Sequence, residues 1–115
     1  MTIQECYQKI GADYAATFKR LPNEAMLRRL ARLFQQDDSF RKLKAALDAG
    51  DVQTAFRAAH TLKGVCLNMG FNNLYEPSRA LTEVLRAGTM EGSAPLFEAV
   101  EREYEKTVEA LRALD

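Results

Sequence analysis

The residues of this chain whose types and spacing suit chemistry are His60, its single histidine, with Lys63 and Gly64 three and four positions later. An imidazole with a free nitrogen can act as a nucleophile, a proton carrier or a metal ligand. The last role needs companions, and Cys6 and Cys66 form neither a CxxC pair nor a histidine-containing cluster, so neither a zinc site nor a disulfide framework is indicated. Cys66 fails as a catalytic partner too. Six residues beyond His60, it falls ~120° away around a helix, where the two side chains cannot act as nucleophile and base. Lys63 is a helical neighbour of His60 and would attract a phosphoryl group placed on its ring. Gly64 costs ~1 kcal/mol relative to Ala in a helix interior. It does not end the helix, because Val65, Cys66 and Met69 continue the apolar pattern. Its remaining use is to let another surface approach the backbone beside the histidine.

The element that must hold these residues is a helix over about Val52–Met69. Gly50 followed by Asp51 reads as a helix-ending glycine and the N-cap of the next helix, and Gly70 ends that helix. On a wheel of ~100° per residue, Ala55, Ala58, Leu62, Cys66 and Met69 share one side, flanked by Val52, Ala59 and Val65. That is the core face. His60 falls ~140° from its centre, with Arg57, Gly64 and Asn68, on the side that faces water. A lone histidine is ordinarily a solvated residue or a satisfied core imidazole; the lysine and the uncapping glycine on the same face argue for more.

Other segments follow the same period. Thr2 with Glu5 forms a capping box for a first helical region running towards Phe18, interrupted at Gly11. Asn23 caps a helix carrying Met26, Leu27, Leu30, Leu33 and Phe34. After a polar break at Asp37-Asp38-Ser39, Phe40, Leu43 and Leu47 resume the stripe up to Gly50. Asn72 or Asn73 caps a helix with the stripe Leu74, Ser78, Leu81 and Leu85, whose start Pro77 is expected to tighten or delay. Ser93 caps the last helix, with Phe97, Val100, Tyr104, Val108 and Leu111 at spacings of three and four. No stretch alternates with a period of two. Short loops between amphipathic helices predict an all-α, up-and-down antiparallel four-helix bundle with an additional N-terminal helix.

Composition narrows the function classes. At 115 residues, 47% hydrophobic, the chain buries one core and is too short for a separate cofactor domain and substrate domain. Sixteen basic residues balance sixteen acidic ones, which gives no overall attraction to nucleic acid or an anionic membrane. Arg28, Arg29 and Arg32 read as the solvated side of an amphipathic helix rather than a nucleic-acid interface. Residues 1–70 hold a surplus of four positive charges and 71–115 a deficit of four, so a mildly basic surface is available to an acidic partner. The N-terminus lacks an apolar run, and no stretch approaches the ~20 apolar residues of a membrane span. A cytoplasmic location with two free thiols is the expectation.

The run Ala59-His60-Thr61-Leu62-Lys63-Gly64, followed by Asn68-Met69-Gly70 and preceded by the turn Ala49-Gly50-Asp51, resembles the histidine-containing phosphotransfer (HPt) domain. The resemblance covers roughly Gly11 to Leu111. It implies one HPt-like domain over residues 1–115, with a helical segment at about 1–20 and a bundle at about 23–114. It implies His60 as phosphoacceptor, Lys63 as electrostatic assistant and Gly64 as clearance. The chain would then be a phosphorelay intermediate rather than an autonomous catalyst, its imidazole attacking a receiver aspartyl phosphate in line with the leaving carboxylate. The chain has no cofactor of its own by this comparison; the receiver supplies Mg²⁺. Partners would be response-regulator receiver domains and a hybrid sensor histidine kinase, contacted through Arg57, Gly64 and Asn68. On the next, antiparallel helix, Arg79, Thr82 and Arg86 lie near the height of His60, and Thr82 stands where the family commonly carries Gln. Thr82 and Arg86 are accordingly further candidate contacts. Where the family often has small residues after the glycine, this chain has Val65 and Cys66. A start at Met1 and the lack of an adjoining kinase or receiver segment lead us to expect a free-standing, monomeric shuttle. The competing expectation is a helical docking or adaptor module that binds without phosphorylation, which accounts for the bundle but not for His, Lys and Gly at these spacings.

Overall fold

The computed structural model describes residues 1–114. It contains seven α-helices: α1 (Ile3–Ile10), α2 (Tyr14–Arg20), α3 (Glu24–Gln36), α4 (Ser39–Asp48), α5 (Val52–Met69), α6 (Asn72–Arg86) and α7 (Ser93–Arg112). Helices α4 to α7 reverse direction at short loops and close into a four-helix bundle: α5 packs against α4 and α6, and α6 against α7. The seam between α4 and α7 is aromatic, with Phe40 stacked on Tyr104 at 4.1 Å between ring centroids and on Phe97 at 5.7 Å. At its edge, Lys44 pairs with Glu101 at 3.1 Å.

The N-terminal region is two short helices rather than one. Gly11 adopts the left-handed conformation (φ 75°) that ends α1, and Asp13 then accepts a hydrogen bond from the Ala16 N–H at 2.9 Å to start α2. The capping box at Thr2 and Glu5 forms in both directions, at 3.0 and 3.1 Å. Ile3, Tyr7 and Ile10 of α1 join the same buried core as Leu27 and Phe34 of α3 and Leu62 of α5.

Three expected caps and stripes differ from what is observed. Neither Asn72 nor Asn73 caps α6; Phe71 occupies the N-cap position, because its ring is needed in the core against Tyr7 and Phe34, at 5.3 and 5.1 Å. Asn73 instead donates to Glu103 (3.0 Å) and Thr107 (3.1 Å) on α7, and α6 runs through Pro77 without delay. At α7 the cap is Gly92, and Ser93, the first helical residue, donates its hydroxyl to the Met90 carbonyl at 2.6 Å. On α3, Met26 and Leu33 remain 44% and 51% exposed, so its apolar stripe is wider than the surface it packs on.

The helix that carries His60 is held at both ends. At its N-terminus Asp51 accepts hydrogen bonds from the Thr54 hydroxyl (2.7 Å) and backbone N–H (3.1 Å), which keep the Asp51 carboxyl below the usual carboxylate range. At its C-terminus the carbonyls that a helix leaves without internal partners are taken by the N-terminal arm. Tyr7 donates to the Met69 carbonyl at 2.6 Å, Arg20 donates to that of Asn68, and the Asp13 N–H donates to that of Gly70 at 3.1 Å. Gly70 needs to be glycine: its φ is 70°, and an added Cβ would run into the Thr17 hydroxyl. A helix clamped at both ends is a rigid mount for a reactive side chain.

Candidate functional site

His60 sits midway along α5 and is exposed, on the face opposite the buried Ala55, Ala58, Leu62, Cys66 and Met69. Among the described residues no side chain is hydrogen-bonded to its ring. Thr61, the next residue, donates its hydroxyl back to the Arg57 carbonyl at 3.0 Å. Both imidazole nitrogens are therefore available to an incoming group. The ring lies nearly parallel to that of Phe56, one turn earlier, with centroids 5.8 Å apart and planes at 19°.

Two cations are placed near the histidine, Lys63 three residues on along α5 and Arg86 on α6. Lys63 is half-buried on α5 and, among the described residues, has no carboxylate partner. Arg86 reaches in from α6: its guanidinium stands 4.9 Å from the centre of the Phe56 ring, and its Nε is 3.3 Å from Glu83. The structure thus gathers His60 and Arg86 around the ring of Phe56. Phe56 was not singled out from sequence, although an aromatic four residues before the histidine shares its helix face.

Thr82 is a correction. It is fully buried, and its hydroxyl donates to the Ser78 carbonyl at 2.7 Å within α6, so it does not present a polar group beside His60. The rotation of α6 about its axis turns this residue into the core. Arg79 is exposed but is engaged with Glu76 at 3.2 Å.

On the other flank Arg57 is exposed, donates to Thr54 at 3.3 Å, and lines a groove of about 430 Å³ between α5 and the α3–α4 junction, with Asp37, Asp38 and Lys42 across from it. Asn68 is exposed two turns beyond His60, and its carbonyl is the one held by Arg20.

Gly64 lies inside α5 without a positive φ, and a Cβ added there meets nothing within 4 Å. Neither backbone conformation nor internal packing requires a glycine. Both cysteines are buried free thiols, and burial pushes the Cys66 thiol well above its ordinary range, which keeps it protonated and unreactive. Among the described residues no three His, Cys, Asp or Glu side chains come together to hold a metal ion, and no helix is long and apolar enough to cross a membrane.

Comparison with known proteins adds one match. The family model described as the Hpt domain matches residues 24–114, from the start of α3 past the end of α7. No curated protein and no solved structure matches the chain. A rigid helical bundle, an exposed and unencumbered histidine with a cation and a glycine one turn away, and a family match across all four bundle helices lead to one conclusion: the chain belongs to the Hpt domain family, the phosphotransfer modules of two-component relays.

Proposed function

We propose that His60 is the phosphoacceptor of a cytoplasmic, monomeric relay intermediate that takes a phosphoryl group from the aspartate of one receiver domain and passes it to another. A ring nitrogen of His60 forms the bond to phosphorus as the acyl-phosphate P–O bond breaks, and the electron pair of that bond leaves with the receiver carboxylate. The reverse transfer follows the same path. Mg²⁺ held by the receiver neutralises charge on the moving group. That division of labour suits a chain that brings a nucleophile and cations but no carboxylate cluster to the site.

Each neighbour has a part in this reading. Lys63, without a carboxylate partner among the described residues, is available to the phosphoryl oxygens. Arg86 can turn from Glu83 to a phosphoryl group on His60, exchanging one surface ion pair for another. Arg57 and Asn68 extend the exposed face on which the receiver, and the receiver domain of a hybrid sensor kinase, would rest. The observation that carries the proposal is the empty space at Gly64: a residue that lowers helix stability without serving the fold is explained by a partner that must come close to His60.

The test is incubation with a phosphorylated receiver. Label should appear on the wild-type chain, be lost in acid and be absent from His60→Gln, whose helical content is unchanged. Acid-stable label, or equal labelling of the variant, would reject the assignment.

A further inference from the structure

The flat contact between Phe56 and His60 lies at the edge of the core rather than within it. Phe56 is only partly buried; its inner edge packs on the core while its ring remains beside the imidazole of an exposed residue. An exposed histidine on a helix ordinarily exchanges among staggered rotamers, so its nitrogens point in several directions. Here the ring has a near-parallel neighbour at 5.8 Å, within the range at which aromatic pairs attract. That neighbour is itself fixed, by the core below and by the Arg86 guanidinium over its ring at 4.9 Å. Arg86 is in turn held by Glu83 at 3.3 Å.

We infer that Phe56 is a positioning residue for the phosphotransfer step: its ring, braced by Arg86, holds the His60 imidazole in one orientation with a nitrogen directed at the incoming phosphorus. This rests on the assignment of His60 as phosphoacceptor. The physical reason is that transfer requires the ring lone pair in line with the breaking P–O bond, and a side chain already in that orientation loses less freedom on reaching it. Phe56 touches neither phosphoryl group nor receiver in this scheme; it acts through the ring it flanks.

The experiment compares Phe56→Leu, which keeps an apolar filler, with Phe56→Tyr, which keeps the flat face. Each is mixed with phosphorylated receiver at a series of concentrations, and the imidazole ring protons of His60 are followed by NMR in the unphosphorylated protein. Phe56→Leu should lower the transfer rate at saturating receiver by about three- to tenfold with little change in the receiver concentration at half-saturation. Its His60 ring protons should move towards the positions of an unstacked imidazole. Phe56→Tyr should restore both rate and shifts, a rescue that a purely space-filling role does not produce, since Leu also fills space. Wild-type rates in both variants, or ring protons unmoved by Phe56→Leu, would overturn the inference while leaving His60 as acceptor. Labelling of His60→Gln in the same assay would instead overturn the assignment on which it rests. If Phe56→Leu does not fold, the His60 ring-proton shifts of unphosphorylated Arg86→Gln, which removes the guanidinium from the Phe56 ring, decide the matter: shifts unmoved in that variant count against the inference.

Discussion

At Gly64, stability and transfer are expected to move in opposite directions when a side chain is added. In the helix interior Ala exceeds Gly by about 1 kcal/mol, through the backbone freedom that glycine loses on folding. Nothing offsets that gain in the folded chain, because a Cβ at position 64 meets no atom within 4 Å and the residue has no positive φ. For a chain of this size the gain corresponds to a rise of about 3–6 °C in thermal midpoint. Gln has nearly the helix propensity of Ala, and its longer side chain would extend into the space beside His60, so Gly64→Gln should be stabilised by most of that amount. Transfer responds differently. The phosphorus must come within about 3–3.5 Å of the ring nitrogen, and a displacement of about 1 Å can lower the rate about 100-fold. Gly64→Gln should therefore lose about 100-fold or more in receiver-to-His60 transfer, with Gly64→Ala between it and the wild type. The measurements are thermal unfolding and initial rates of label transfer on the same preparations. A stabilised Gln variant that transfers at the normal rate would refute the clearance argument and leave the glycine unexplained.

Lys63→Ala should leave unfolding almost unchanged and slow transfer, or shorten the lifetime of the phosphorylated chain, about tenfold, since one hydrogen bond from a cation to the phosphoryl oxygens is lost. Rapid-quench transfer at low salt, where screening is weakest, is the check, and unaltered kinetics there would make Lys63 an ordinary solvated residue. Alkaline pH should destabilise the bundle through Tyr7 and Cys66. Burial pushes both groups above their ordinary values of 10.0 and 9.0, so the unfolded chain ionises first. Their contribution is complete below about pH 9 and declines as pH rises from there, at up to about 1.4 kcal/mol per pH unit for each group while only the unfolded form is ionised. Denaturant midpoints recorded between about pH 8 and about pH 11 should fall progressively. A flat profile would mean that these groups ionise as readily folded as unfolded.

What the sequence determined by itself is what local periodicity and local caps encode. The bounds of α5, its buried face of Ala55, Ala58, Leu62, Cys66 and Met69, and the exposure of His60, Arg57 and Asn68 all follow from a 3.6-residue repeat between Asp51 and Gly70. Gly64 stood out for the same reason: one residue on that wheel was wrong for helix stability, and the structure supplies no internal cause. What only the tertiary structure decided is how each helix is turned about its axis and which neighbour its flanks meet. Thr82, matched to His60 by its sequence distance from Gly70, points into the core, where its hydroxyl is satisfied within its own helix. Phe71 displaces Asn72 from a capping position because burying a ring against Tyr7 and Phe34 is worth more than one terminal hydrogen bond. The bracing of Phe56 by Arg86, 30 residues away, and the arm of Tyr7, Asp13 and Arg20 that holds the end of α5 depend on contacts between distant segments. A helical repeat records which residues share a face; only packing between helices records what stands opposite it.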